Sequence, residues 1–131
     1  MVSVIIPSDE KFSAYKTELK NMYENVQDKI CDTNSFDFIM TNTLFYGFLH
    51  DSVLLGAIYF FVDDEGKLFL NGFAGRKHLE LNLECLRMSL GWFSSEIYAE
   101  AQNKASAYCL LRCGFRRVKG KLFCYVPTSS C

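Results

Sequence analysis

The chain has no Cys-x-x-Cys pair, and its two histidines, His50 and His78, stand far apart, so the clustered ligands of a zinc site are missing. Its six cysteines are at positions 31, 85, 109, 113, 124 and 131, and only Cys109 and Cys113 are one helical turn apart. Two thiols do not make four ligands. They read as buried, reduced thiols of a cytosolic protein, with Cys131 exposed and reactive. No apolar run reaches the roughly eighteen residues that a membrane-spanning helix needs. The opening Met1–Pro7 is apolar but too short for a signal peptide and has no basic leader, so export is not expected. An excess of one charge is also lacking: 14 basic residues against 15 acidic ones leave a net charge of −1. That balance gives no general attraction to nucleic acid or to an anionic membrane. Repeats, low-complexity tracts and linkers are absent as well, and 131 residues, half of them apolar, are expected to form one domain over 1–131.

The periodicity predicts its elements in order. Ser8 is placed to cap a helix whose first turn carries Asp9 and Glu10, favourable at the positive end of the helix dipole. Phe12, Tyr15, Leu19, Met22 and Val26 give that helix, roughly 8–26, an apolar stripe. Residues 27–42 read as a loop or a short second helix that packs through Phe36, Phe38, Ile39 and Met40. Three extended runs, 44–49, 53–62 and 67–74, are joined by turns at His50-Asp51-Ser52 and Asp63-Asp64-Glu65-Gly66, which predicts an antiparallel meander. The middle run is almost continuously apolar and must be covered on both faces. Leu79, Leu83, Leu86, Leu90 and Phe93 then mark the buried stripe of a long helix. A strand over 96–101, a helix over 104–113 and strands over 115–118 and 121–126 complete an α/β mixed sheet, mostly antiparallel, with helices on both faces.

The segment that points to a chemistry runs from Asn103 to Phe115, after the strand 96–101. Asn103 can cap the helix it precedes, Gly114 suits the left-handed position that closes it, and Phe115 opens the next extended run. This phrase, Asn103-x-x-Ser106 followed by Gly114-Phe115, resembles the second half of a GCN5-related N-acetyltransferase (GNAT) domain. The element order across about 8–127 is similar to that fold. The pattern is closest to the branch of ribosomal-protein N-terminal acetyltransferases, and the resemblance extends to small, diverged members of tailed phages, which would place the protein in a host cytoplasm.

The resemblance implies acetyl-CoA as cofactor, no metal, and an acceptor amine on a small molecule or a protein that attacks the thioester directly. It implies that Phe73 and Ala74 flank the coenzyme, that Arg76 and Lys77 meet its pyrophosphate, and that Asn103 and Ser106 contact its arm. The chain also departs from the family. The phosphate loop, Arg/Gln-x-x-Gly-x-Gly/Ala, falls on Gly75-Arg76-Lys77-His78-Leu79-Glu80-Leu81, where the inner glycines are replaced and Glu80 would repel a phosphate. Arg76 and Lys77 could supply charge in place of amides, or could simply be a solvated basic corner. Asn71-Gly72 is consistent with a bulge where the arm approaches. The family tyrosine that reprotonates the thiolate is Leu110 here, and Tyr108 lies about 200° further round a helix. Glu100 or a water remains for the base.

Two functions follow: an acyl-CoA-dependent N-acyltransferase, or a GNAT-like fold that has lost its cofactor and serves as a binding or assembly protein, with the Phe and Tyr content suited to a homo-oligomer or another protein partner. A third reading, an unrelated α/β binder, treats the phrase as coincidence.

Overall fold

The computed structural model describes residues 2–30, 32–75 and 77–127. Seven strands form one sheet in the order β1-β2-β3-β4-β5-β7-β6. They are β1 (Val2–Ile5), β2 (Leu44–His50), β3 (Val53–Val62), β4 (Leu68–Ala74), β5 (Ile97–Glu100), β6 (Arg116–Lys119) and β7 (Leu122–Tyr125). The helices are α1 (Phe12–Val26), α2 (Phe36–Asn42), α3 (Leu79–Leu90) and α4 (Lys104–Arg112), with one 3-10 turn at Gln27–Lys29. Every neighbouring pair is antiparallel except β4 and β5, which run parallel. Helices cover both faces, as the apolar β3 requires.

Strand alternation sorts the core into two layers. Phe45, Leu49, Tyr59 and Phe73 point to one face and meet Phe12, Leu19 and Tyr23 of α1 and Phe36 and Ile39 of α2. Phe48, Ile58, Phe60, Leu70 and Ile97 point to the other and meet Leu83, Leu86 and Leu90 of α3 and Leu110 of α4.

The structure differs from the sequence reading in several places. The opening residues form strand β1 on the edge of β2, with Ile5 beside Gly47. The first helix accordingly starts at Phe12, and no side chain caps it. Asp9 serves the intervening turn instead, its carboxylate accepting from the Ile6 amide at 2.9 Å. The open segment 27–42 contains α2, capped by Ser35, whose hydroxyl accepts from the Phe38 amide at 3.1 Å. Leu79, at the first position of α3, is exposed; Leu83, Leu86 and Leu90 are buried. Phe93 lies past the helix end and rests on Phe60, ring centroids 4.5 Å apart.

Asn71-Gly72 is not a bulge, since β3 and β4 pair without a break from Val62 beside Leu68 to Gly56 beside Ala74. Glycine is needed at position 72 for another reason: a Cβ there would lie 2.8 Å from the Ala57 carbonyl oxygen of β3. The register shifts instead between β2 and β3, where Leu55 is an extra residue between the pairs Phe48–Gly56 and Leu49–Leu54, and between β6 and β7 at Arg117–Lys119. Gly114 follows α4 with φ +96°, the left-handed geometry expected of it.

Candidate functional site at the open end of the sheet

The parallel pair creates the site. β4 and β5 are bonded only through Leu68 beside Ile97 and Phe69 beside Tyr98. Beyond that point β4 runs on to Ala74 paired only with β3, and β5 runs on to Glu100 paired only with β7. The strands part, and edge groups of both face the gap. Because the two strands are parallel, the helices that follow them, α3 and α4, both begin at this same end, the place where ligands meet an α/β sheet.

The two helix starts are finished differently. At α4 the Asn103 side chain accepts from the Ser106 amide at 2.8 Å, as the cap reading required. The bond uses the Ser106 main chain, and its half-buried side chain is left for other contacts. At α3 the cap position is His78, whose side chain makes no bond to the first-turn amides. Such an end carries unpaired donors and partial positive charge suited to an anion. Glu80 lies in that first turn, and its exposed carboxylate stands 3.6 Å from Arg112 at the end of α4. The repulsion expected from Glu80 is therefore offset by a cation on the neighbouring helix.

The residues singled out from the sequence fall as follows. Phe73 is buried against Tyr23, with centroids 5.5 Å apart, so its side chain belongs to the core and only its main chain can reach the gap. Ala74 ends β4 and is exposed, and Lys77 is exposed in the turn before α3. Arg76 lies outside the described residues, as do Cys31 and Cys131. Leu110 is buried, and Tyr108 points outward, its hydroxyl accepting from Arg112 at 2.6 Å. Glu100 is exposed on β5.

Sequence reasoning missed the other wall of the gap. An open cleft of about 520 Å³ is lined by Glu24, Gln27, Asp28, Asp32, Thr33 and Gln102. Gln102 directly follows β5 and accepts from Lys121 at 2.8 Å, which ties the turn between β6 and β7 to this corner. The opposite wall is the end of α1 and the loop after it. That loop is pinned to β4 by Asn71, whose amide donates to the Ile30 carbonyl at 2.7 Å. Asp32 accepts from the Tyr59 hydroxyl at 2.6 Å and from the Asn34 amide at 2.8 Å. Tyr59 stands 27 residues away in sequence, so no local pattern could have revealed the pair. The only visible signal was a polar segment rich in Asp and Asn between two apolar elements.

Among the described residues the cleft carries three carboxylates and no basic side chain, whereas Lys77 stands beside the start of α3. A cation is favoured at the first and an anion at the second. A smaller cavity of about 30 Å³ between α3 and the sheet is lined in part by Phe48, Phe73 and Asn82. It has room for about one water. The buried Asn82 Oδ1 has no hydrogen-bond partner among the described residues.

Among the described residues Cys85, Cys109, Cys113 and Cys124 are free, and no group of three or more His, Cys, Asp or Glu is set to hold a metal. Burial pushes the Cys85 thiol up to about 11 and raises those of Cys109, Cys113 and Cys124. Such thiols are poor nucleophiles. No described helix is long and apolar enough to cross a membrane.

No protein-family model matches the chain, and no curated protein sequence does. Solved structures do. An acetyltransferase of the GNAT family from Staphylococcus aureus Mu50 superposes with a TM-score of 0.63 at 14% identity, over 95% of this chain and 98% of that one. An N-acetyltransferase from the same organism gives 0.67 at 12% identity, over 96% and 97%. The N-acetylglutamate synthase of Neisseria gonorrhoeae, solved with coenzyme A and N-acetyl-glutamate, gives 0.59 at 12% identity over 95% of this chain and 35% of that one. At these identities the likeness establishes the fold, which is that of the GNAT acetyltransferases.

Proposed function

We propose that the protein is an acyl-CoA-dependent N-acyltransferase, with residues 1–131 as one GNAT-like domain acting in the cytoplasm. The observation that carries the reading is the parting of β4 from β5 after Phe69 and Tyr98, set between an uncapped helix start and an acid-lined cleft. Free edge groups of a strand can pair with the amides of an extended arm, and in this reading those of Phe73 and Ala74 do so.

The residues present fit acetyl-CoA, even though the inner glycines of the family loop are replaced. His78 does not cap the first-turn amides of α3, and the first-turn acid, Glu80, is paired with Arg112. Lys77 adds positive charge beside those amides, and Arg76 precedes it in the sequence. Asn103 fixes the start of α4, and the Ser106 hydroxyl offers a contact to the arm.

When bound, acetyl-CoA supplies a thioester carbonyl for the amine to attack. The chain itself holds and orients both partners: the basic start of α3 takes the phosphates, and the carboxylates of Glu24, Asp28 and Asp32 attract an amine to the opposite side of the gap. An amine on a small molecule or on a protein N-terminus suits that cleft. The Asn103-x-x-Ser106 and Gly114-Phe115 pattern is the reason to place the protein nearest the ribosomal-protein N-terminal acetyltransferases, and a phage source remains compatible with so diverged a sequence.

Isothermal calorimetry with acetyl-CoA tests the reading. Binding is expected, and changing Arg76 and Lys77 together to Ala should weaken it by about tenfold to a hundredfold, the scale of charged hydrogen bonds to an anion. The difference between parent and variant should shrink in high salt, where the same attraction is screened. No heat of binding at millimolar acetyl-CoA would overturn the transferase and leave a fold that binds a partner without the cofactor.

A further inference from the structure

Resting on the acyltransferase reading, we propose that Asp32 accepts the proton released by the attacking amine, and that Tyr59 is the positioning residue that aims its carboxylate. The sequence leaves Glu100 or a water for this task. It is exposed on β5 and does not line the cleft. Asp32 lines the cleft directly and is held by donors on both oxygens, Tyr59 Oη on Oδ2 and the Asn34 amide on Oδ1.

Each carboxylate oxygen has two lone pairs, so the described bonds leave room on both for a substrate N–H. Tyr59 has no exposed surface, and its ring stacks beside that of Phe45 with centroids 6.1 Å apart. The position of its hydroxyl is therefore set by the core. Burial and the neighbouring Asp32 raise the Tyr59 phenol far above its ordinary range, so it stays protonated and donates. The loop has further anchors. Tyr23 and Gln27 both donate to the Asn34 carbonyl, at 2.6 and 2.8 Å. Asn71, two positions after the last β4 residue paired with β5, holds Ile30. A carboxylate on a surface loop is thus fixed from β3, β4 and α1 at the place where the sheet opens. Tyr59 bonds the acid itself, while Tyr23, Gln27 and Asn71 bond the main chain of the loop that carries it.

The step balances with the groups named. As the amine nitrogen adds its lone pair to the thioester carbonyl, a C–N bond forms and the nitrogen becomes positively charged. Its N–H bond breaks, and the proton goes to a free lone pair of Asp32. The C–S bond breaks with its electron pair on sulfur, the thiolate takes a proton from solvent, and Asp32 returns its own to solvent.

The test follows thiol release by the full chain at saturating acetyl-CoA, with spermidine, N-α-acetyl-lysine amide and a dipeptide with a free N-terminus as amine probes. Asp32→Asn should lower kcat about a hundredfold or more, the usual worth of a positioned base, while acetyl-CoA Kd stays within about twofold. Tyr59→Phe should lower kcat about tenfold with little change in the amine KM. Asp32→Glu should recover part of the turnover lost in the Asn variant and serves as the acid test if the Asn variant does not fold. A purely structural role would show the reverse, a lower unfolding temperature with kcat unchanged. Parent-like kcat in Asp32→Asn, or loss confined to Glu100→Gln, overturns the assignment. A parent that binds no acetyl-CoA, or acetylates none of the probes, overturns the transferase reading, and the Asp32 assignment falls with it.

Discussion

Phe69 of β4 and Tyr98 of β5 are the last neighbours of the two parallel strands, with ring centroids 5.6 Å apart. Their contact closes the lower part of the gap, and above it each strand keeps only its other partner. Edge groups in such a gap exchange with water unless a ligand pairs with them. Hydrogen exchange read by mass spectrometry should therefore show acetyl-CoA slowing exchange in 70–74 and 99–101, with residues 44–50 of β2 little changed. Slowing spread evenly over the sheet would speak against the arm lying between β4 and β5.

The cap of α4 separates two roles that lie side by side. Asn103 bonds the Ser106 amide through its side chain, so Asn103→Ala should cost about 0.5–2 kcal/mol of stability and Asn103→Asp little. Ser106 contributes its main chain to that bond. Ser106→Ala should leave stability within about 0.5 kcal/mol and weaken acetyl-CoA binding by roughly the 0.5–1.5 kcal/mol of a neutral hydrogen bond. Urea titration and calorimetry on both variants check the separation.

Leu79 and Leu83 occupy one stripe of the sequence and opposite environments in the fold, 43% and 1% exposed. Leu83→Ala should cost about 2–5 kcal/mol through lost burial and the cavity left behind. Leu79→Ala should stay within about 0.5 kcal/mol. Equal losses in chemical denaturation would contradict the helix boundary.

Alkaline pH should destabilise the native state before it affects the charge of most lysines. The Cys85 thiol ionises near 9.0 in an ordinary setting and at about 11 in the fold. Its neutral form is favoured by folding, so its contribution is fully present below pH 9 and is lost as pH rises toward 11. Tyr23 and Tyr59 are raised too and act in the same direction. Urea midpoints measured from pH 8 to 11 should fall, and Cys85→Ala should flatten the first part of that fall. A flat parent curve would show that the thiol is not buried as described.

Elements whose pattern is local are legible along the chain. The three strands of the meander came from alternating apolar runs and short turns, the middle of α3 from Leu83, Leu86 and Leu90, and the cap and close of α4 from Asn103 and Gly114. Each is decided by residues within a few positions of one another. Only the tertiary structure decided the rest. Val2–Ile5 is four residues long and becomes a strand because β2 offers it an edge. Gly72 reads like a bulge until the Ala57 carbonyl is seen beside it. Leu79 looks like core until its exposure at the start of α3 is seen. Asp32 of the loop before α2 meets Tyr59 of β3 from 27 residues away, and a hydrogen bond between such residues depends on how the whole chain packs, which no spacing along the sequence encodes.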